Sequence, residues 1–159
     1  MTASEFISAS LPDELACIID AFGIATRHIC LELTENIVMQ HADMVIPVME
    51  ALRKHGFHIS LDDFGTGHSS LSRLKQLPIS SLKIDRSFIT GLPQNVGDCA
   101  IVRTIFDLGH HMNLQIIAEG VETDAQMSFL QQFGYPWMQG FLLGRPMAFD
   151  ELITRYRQA

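Results

Sequence analysis

Asp62 and Asp63 stand side by side after the apolar stretch "FHISL", and "FGTGHSS" follows them. Adjacent carboxylates repel and resist desolvation; hard cations between them make the arrangement comfortable. Acids recur at comparable points along the chain: Glu32 and Glu35 in "LELTE", Asp85 beside Lys83 in "SLKID", and Glu119 in "IIAEG", with Gln139 in "WMQGF". Carboxylate and amide oxygens with little histidine or cysteine favour magnesium or manganese over zinc. With one aspartate bridging two ions about 3.5–4 Å apart and the other binding one, the set would orient a water for in-line displacement at phosphorus. Lys83 would hold that water or offset charge on a phosphoryl oxygen. Glu119 would take a proton, given surroundings that raise its pKa. Gln139 would donate to water, to a ligating carboxylate or to substrate.

Each residue also has a purely structural reading. Glu32 could be a polar strand residue, and Asp62 and Asp63 a loop start bonded to backbone N–H groups. Lys83 and Asp85 could form an ion pair, and Glu119 could serve the N-terminus of the next helix. Glu122 in "GVETD" reads better as a cap or brace of that helix than as a site residue. Recurrence at one edge is what favours chemistry.

That edge depends on the elements. Ser10 to Gly23 reads as a helix capped by Ser10, with Pro12 tolerated in its first turn. Further helices are expected over Asp43 to His55, Leu71 to Leu77, Cys99 to Met112, Asp124 to Phe133 and Phe149 to Tyr156. In the first of these, Met44, Ile46, Val48, Met49 and Leu52 are the packing candidates, and Pro47 is awkward unless it lies in the first turn. Strands are expected over His28 to Leu33, Phe57 to Asp63, Ser81 to Asp85, Leu114 to Gly120 and, shorter, Tyr135 to Phe141. Strand and helix alternate at about 25–30 residues, which predicts an α/β fold with a parallel sheet. The strand ends, and so the acids, then share one edge. Five strands suit either an open α/β sheet or part of an eight-stranded barrel, which needs about 250 residues.

The loop "FGTGHSS" contains Gly65 and Gly67, which permit left-handed or closely approached backbone. Thr66, Ser69 and Ser70 can bond to backbone or to the acids. Neither GxxxxGK[ST] nor GxGxxG is present, so a switchable loop beside the acids is expected rather than a phosphate cradle. Glu35, one helical turn from Glu32, would anchor it. Tyr135, Trp137, Met138 and Phe141 read as core, with one or two available to stack on a base.

The chain has 159 residues and a formal net charge of -7. The length fits a single domain, and the charge argues against binding a nucleic-acid polymer. No apolar run approaches the roughly 18 residues of a membrane span, and no signal peptide opens the chain, so the cytoplasm is the expected compartment. Cys17, Cys30 and Cys99 match no metal spacing and read as small buried hydrophobes. The seven histidines form no HxxxH or HExxH pattern.

Four stretches, "LELTE", "LDDFGTGHSSLSRLKQLPISSLKIDRSFI", "IIAEGVET" and "MQGFLLGRPM", together resemble the EAL-domain family from about Ile29 onward. Its members are cyclic-di-GMP phosphodiesterases with a modified (β/α)8 barrel. The resemblance implies that Glu32, Asp62 and Asp63 are metal ligands in a site for two Mg2+ or Mn2+ ions, with Asp62 bridging. It implies that Lys83 holds the hydrolytic water, that Glu119 is the catalytic glutamate beside it, and that Gln139 is a nearby site residue. Phe64 to Ser70, with Thr66, Gly67 and Ser69, resembles the loop that links substrate binding, metal occupancy and the dimer interface. Glu35 resembles the glutamate bracing that loop, and Asp85 a further acid of the site. His68 stands where the family often has tyrosine, a change expected to matter little.

The front of the chain departs from the family. The Glu-Ala-Leu segment, the arginine after it and an asparagine ligand on a following strand have no counterpart in "MTASEFISAS". Residues 1–159 thus resemble a single EAL domain truncated at its N-terminus, a partial TIM-like barrel of about five parallel strands. Two unpaired edges would favour dimerisation or strand exchange. The expected activity is metal-dependent hydrolysis of cyclic di-GMP to linear pGpG, impaired in this chain. The alternative is a catalytically inactive EAL-like binding or regulatory module. A receiver-type signalling domain fits less well, because the lysine falls in the wrong order and spacing. In a full-length protein, a sensor domain upstream would be in keeping with the family.

Overall fold

The computed structural model describes residues 6–65, 71–134 and 136–158. The apolar runs form five strands: β1 (Cys30–Thr34), β2 (His58–Phe64), β3 (Ser81–Ile84), β4 (Gln115–Glu119) and β5 (Trp137–Gln139). All neighbours are parallel and lie in sequence order, β1-β2-β3-β4-β5. Open doubly wound sheets reverse order at a switch point, whereas barrels advance one strand at a time in one direction. The sequential order is therefore that of a partial barrel. β1 and β5 are its edges among the described residues.

The helices are α1 (Leu11–Ala21), α2 (Glu35–Gln40), α3 (Ala42–Lys54), α4 (Leu71–Leu74), α5 (Arg86–Thr90), α6 (Val96–Met112), α7 (Asp124–Leu130) and α8 (Phe149–Gln158). Their apolar sides meet the sheet in one core. Leu33, Ile59, Leu61, Leu82, Ile84 and Ala118 from the strands are buried with Val45, Met49, Leu52, Val102, Ile105 and Leu130 from the helices.

Several local expectations are corrected. Ser10 lies in helical backbone and makes no side-chain cap; its hydroxyl meets Ser8 Oγ at 2.9 Å. His28 belongs to a 3-10 turn, so β1 starts at Cys30. In α3 the buried positions are Val45, Val48, Met49 and Leu52, and Met44 faces solvent. Pro47 lies in the second turn of α3. The carbonyl it leaves without a donor is that of Asp43, at an exposed position. Asn95 accepts from the N–H groups of Gly97 and Asp98, so α6 begins three residues before Cys99. The segment after β3 holds α5, capped by Asp85. Cys17 and Cys30 are exposed and Cys99 is half-buried. Trp137 and Phe141 are exposed as well, Trp137 on an edge strand and Phe141 under the Arg145 guanidinium at 4.2 Å.

Candidate active site

The carboxyl ends of the strands bring the sequence-singled residues together. Glu32 is on β1, Asp62 and Asp63 on β2, Lys83 on β3, Glu119 at the end of β4 and Gln139 at the end of β5. Two consecutive residues of a regular strand face opposite ways. At Asp62–Asp63 that alternation is broken. The pairing of β2 with β3 shifts register between Leu61 and Phe64, and Asp63 adopts a left-handed conformation at φ +57°. A bulge of this kind re-aims a side chain beside a site. Asp62 Oδ1 accepts from the Asp63 N–H at 3.0 Å and stabilises the kink.

Lys83 is the centre of the cluster. Its side chain is 5% exposed, and its ammonium Nζ lies 2.7 Å from Glu119 Oε1, 2.8 Å from Glu32 Oε2 and 3.3 Å from Asp62 Oδ1. An ammonium has three N–H donors; Lys83 hydrogen-bonds Glu32 and Glu119 and forms an ion pair with Asp62. Burial alone would depress the lysine pKa. The hydrogen bonds to Glu119 and Glu32 and the charges of Glu119 and Asp62 outweigh it, so the pKa is raised and the group is held cationic.

The acids show the reverse strain. Burial pushes the Glu119 carboxyl up; Lys83 opposes this, and the charges of Asp62 and Glu32 add to it. Asp63 is also pushed up, by burial first and then by Asp62, Asp85 and Glu35, against Lys83. Excess negative charge at a strand edge is what a bound cation relieves.

The remaining candidates take different places. Glu35 is buried at the start of α2, and its Oε2 accepts from the Gly65 N–H at 3.0 Å. It thus holds the root of the loop. Asp85 accepts from the Ser87 N–H at 2.9 Å as the cap of α5, close enough for its charge to act on Asp63. Gln139 is exposed and in register with Glu119. Thr66, Gly67 and Ser69, with His68, Ser70 and Tyr135, lie outside the described residues. Glu122 does not cap α7. Thr123 does so in a capping box with Gln126, and Glu122 pairs with Arg86 at 2.8 Å.

The sequence reading missed the layer beneath the acids. Cys30, Ser60 and Ser81 lie two residues before Glu32, Asp62 and Lys83 and so share their face by strand alternation. Burial pushes the Cys30 thiol up, and neighbouring Ser81 opposes it. Counting back by two from each acid is the signal that would have found them.

The donor set fits a hard divalent cation in kind, since Glu32, Asp62 and Asp63 offer only carboxylate oxygens. Its oxygens are turned elsewhere, however. Among the described residues no three His, Cys, Asp or Glu side chains converge on one ion position, and Glu32 and Asp62 both face Lys83.

The EAL domain family model matches residues 1–146. The bifunctional diguanylate cyclase/cyclic di-GMP phosphodiesterase MucR of Pseudomonas aeruginosa is 46% identical over 154 residues, covering 97% of this chain and 22% of MucR. The chain thus spans about a fifth of the length of the curated relatives it matches. The structure of the PaMucR phosphodiesterase in complex with c-di-GMP superposes with a TM-score of 0.89 at 47% identity, over 96% of this chain and 62% of that one. The manganese/cyclic-di-GMP complex of BlrP1 from Klebsiella pneumoniae superposes with a TM-score of 0.83 at 30% identity, over 89% of this chain and 36% of that one. By the family match over most of its length and by its likeness to these structures, the chain belongs to the EAL-domain family.

Proposed function

We propose that this site hydrolyses cyclic di-GMP to linear pGpG in the cytoplasm, using Mg2+ or Mn2+ held by Glu32, Asp62 and Asp63. The observation that carries the reading is the Lys83 ammonium meeting carboxylates from three other strands at one sheet edge. The complexes of PaMucR with c-di-GMP and of BlrP1 with manganese and cyclic-di-GMP support substrate and metal class. When bound, the ions supply positive charge to the phosphoryl oxygens and lower the pKa of a water. Lys83 orients the attacking water by donating to its oxygen. Glu119, with its raised pKa, takes the proton. The water oxygen bonds to phosphorus as the P–O3′ bond breaks; O3′ takes up a proton from solvent to become the 3′-hydroxyl, and a 5′-phosphate stays on the linear dinucleotide. Glu35 fixes the start of the loop after β2, and Gln139 offers its amide at the neighbouring strand end.

The 159 residues alone turn over more slowly than a domain with a Glu-Ala-Leu segment, because ligands supplied by that segment are absent from this sequence. They also associate as dimers, since both sheet edges are open among the described residues. Incubation with cyclic di-GMP and Mn2+, with chromatography for pGpG, tests the activity. The same assay on a longer EAL polypeptide containing this segment provides the reference. No product from either overturns the reading, and equal rates overturn the impairment. A stable monomer in light scattering overturns the dimer.

A second reading, an inactive EAL-like binding or regulatory module, is favoured by the direction of the ligand oxygens towards Lys83. Binding of cyclic di-GMP without pGpG formation by the longer polypeptide would establish it.

A further inference from the structure

We propose that Lys83 is the resident counter-cation of the metal-free site and competes with the divalent ion for Glu32 and Asp62. This rests on the reading of those two residues as metal ligands.

Three observations carry it. Lys83 is buried, hydrogen-bonded to Glu32 and Glu119 and ion-paired with Asp62. With the ammonium in this place, no three acids among the described residues share an ion position. The arms also differ. Glu119 is the shortest contact, at 2.7 Å, and its side chain is 20% exposed. Asp62 is the longest, at 3.3 Å, and the Glu32 side chain is 51% exposed.

The contacts that must open are thus the long one and the one with room to move. The Glu119 contact can persist. Carboxylates crowded at one sheet edge repel unless a cation stands between them, and Lys83 supplies it until a stronger one arrives. The exchange has a chemical consequence. While it lies among three carboxylates, Lys83 is held by Glu32 and Glu119 and drawn towards Asp62 rather than turned to water. Once it retains only Glu119, two donors are free for the attacking water and a phosphoryl oxygen. Ligand release and activation of Lys83 are then one event. The site is closed to water activation in its metal-free form.

The test uses Mn2+ alone, titrated by calorimetry into the wild-type chain and into Lys83→Met, which keeps the aliphatic stem without the charge. The variant should bind about tenfold tighter, equivalent to about 1.4 kcal/mol. A second measurement needs no variant. The chain has three lysines, and Lys54 and Lys75 are exposed, so the slowly exchanging ammonium in a 1H–15N spectrum is that of Lys83. Its resonance should move on saturation with Mg2+. Wild-type binding with no gain in Lys83→Met overturns the competition and leaves the metal site standing. So does a Lys83 signal unmoved by saturating Mg2+. Binding by neither protein overturns the ligand assignment and the competition together. Binding by Lys83→Met alone establishes that Lys83 blocks the site. If the variant does not fold, the wild-type spectrum decides.

Discussion

The ammonium Nζ of Lys83 lies 2.7 Å from Glu119 Oε1, a contact between the ends of adjacent parallel strands. It places a fixed positive charge against the group assigned to take the proton. Removing one preorganised donor from a reacting centre costs about 10²–10³-fold in kcat. Lys83→Met is therefore expected to lower kcat by about that factor in the Mn2+ assay, with KM for cyclic di-GMP changed only a few-fold. Lys83→Arg should not restore it, because a planar fork cannot point donors at three carboxylates around one centre. Steady-state kinetics with chromatographic detection of pGpG reads both.

Glu35 is 2% exposed and accepts the Gly65 N–H at 3.0 Å. Loss of a buried charged acceptor leaves that N–H without its partner and costs about 2–3 kcal/mol. Glu35→Ala should lower the melting temperature by about 5–10 °C, whereas Glu35→Gln, which keeps an acceptor oxygen, should cost less than half as much. Gly65→Ala tests the other side of the bond. Gly65 has φ +97°, and a Cβ there would stand 2.9 Å from Phe88 Cε2, so the alanine should cost about 1–3 kcal/mol. Thermal denaturation by circular dichroism checks all three.

The acids were legible because each closes an apolar run, and a parallel sheet gathers the ends of its strands at one edge. Period and composition sufficed to place Glu32, Asp62, Lys83 and Glu119 at that edge. The bulge at Asp63 was not legible, because a left-handed aspartate looks the same in sequence as a strand aspartate. The direction of the Glu32 and Asp62 oxygens was not legible either. It depends on whether Lys83, two strands away from Glu32, reaches them, and that is a matter of side-chain length and register. Misplaced boundaries had local causes. Asn95 outcompeted later residues as a cap because its oxygen meets two N–H groups at once. Val45 rather than Met44 faces the core because it lies three, four and seven residues from Val48, Met49 and Leu52, on one face of the helix. Cys17, Cys30 and Trp137 followed the general tendency of their residue types in the reading, but they sit on an outer helix face and on edge strands.

Gly140 follows Gln139 and lets the chain pass against Val121. A Cβ at position 140 would meet Val121 O at 2.1 Å and Val121 N at 2.3 Å. Both are backbone atoms held in place. The Val121 N–H donates to Gln139 O at 3.0 Å, and Val121 O accepts from Leu142 at 3.1 Å. No side chain can yield, so Gly140→Ala must push the end of β5 from β4 and carry Gln139 with it. The expected cost is about 3 kcal/mol, the upper end of overpacking, read as an earlier midpoint in urea denaturation. Amide shifts at Glu119 and Gln139 should accompany it in NMR.

The Glu119 carboxyl is pushed above its ordinary pKa even beside Lys83, because burial and the charges of Asp62 and Glu32 act with one sign. The native state therefore takes up a proton here more readily than the unfolded chain does. Stability from such a group is fully present below its unfolded pKa and is lost as pH rises through the folded pKa. At neutral pH the ionised Glu119 accordingly subtracts from stability in the metal-free protein. Glu119→Gln removes the charge and should melt about 2–4 °C higher at pH 7.5 in the presence of a chelator, if the relief is about 1 kcal/mol. The gain should vanish as acidification carries the wild type below the ordinary carboxylate range, where its own carboxyl is neutral. The same variant should lose turnover, having no base to accept the proton from water. A lower melting temperature at pH 7.5 would mean that pairing with Lys83 outweighs burial, and Glu119 would then be held ionised rather than poised to accept a proton.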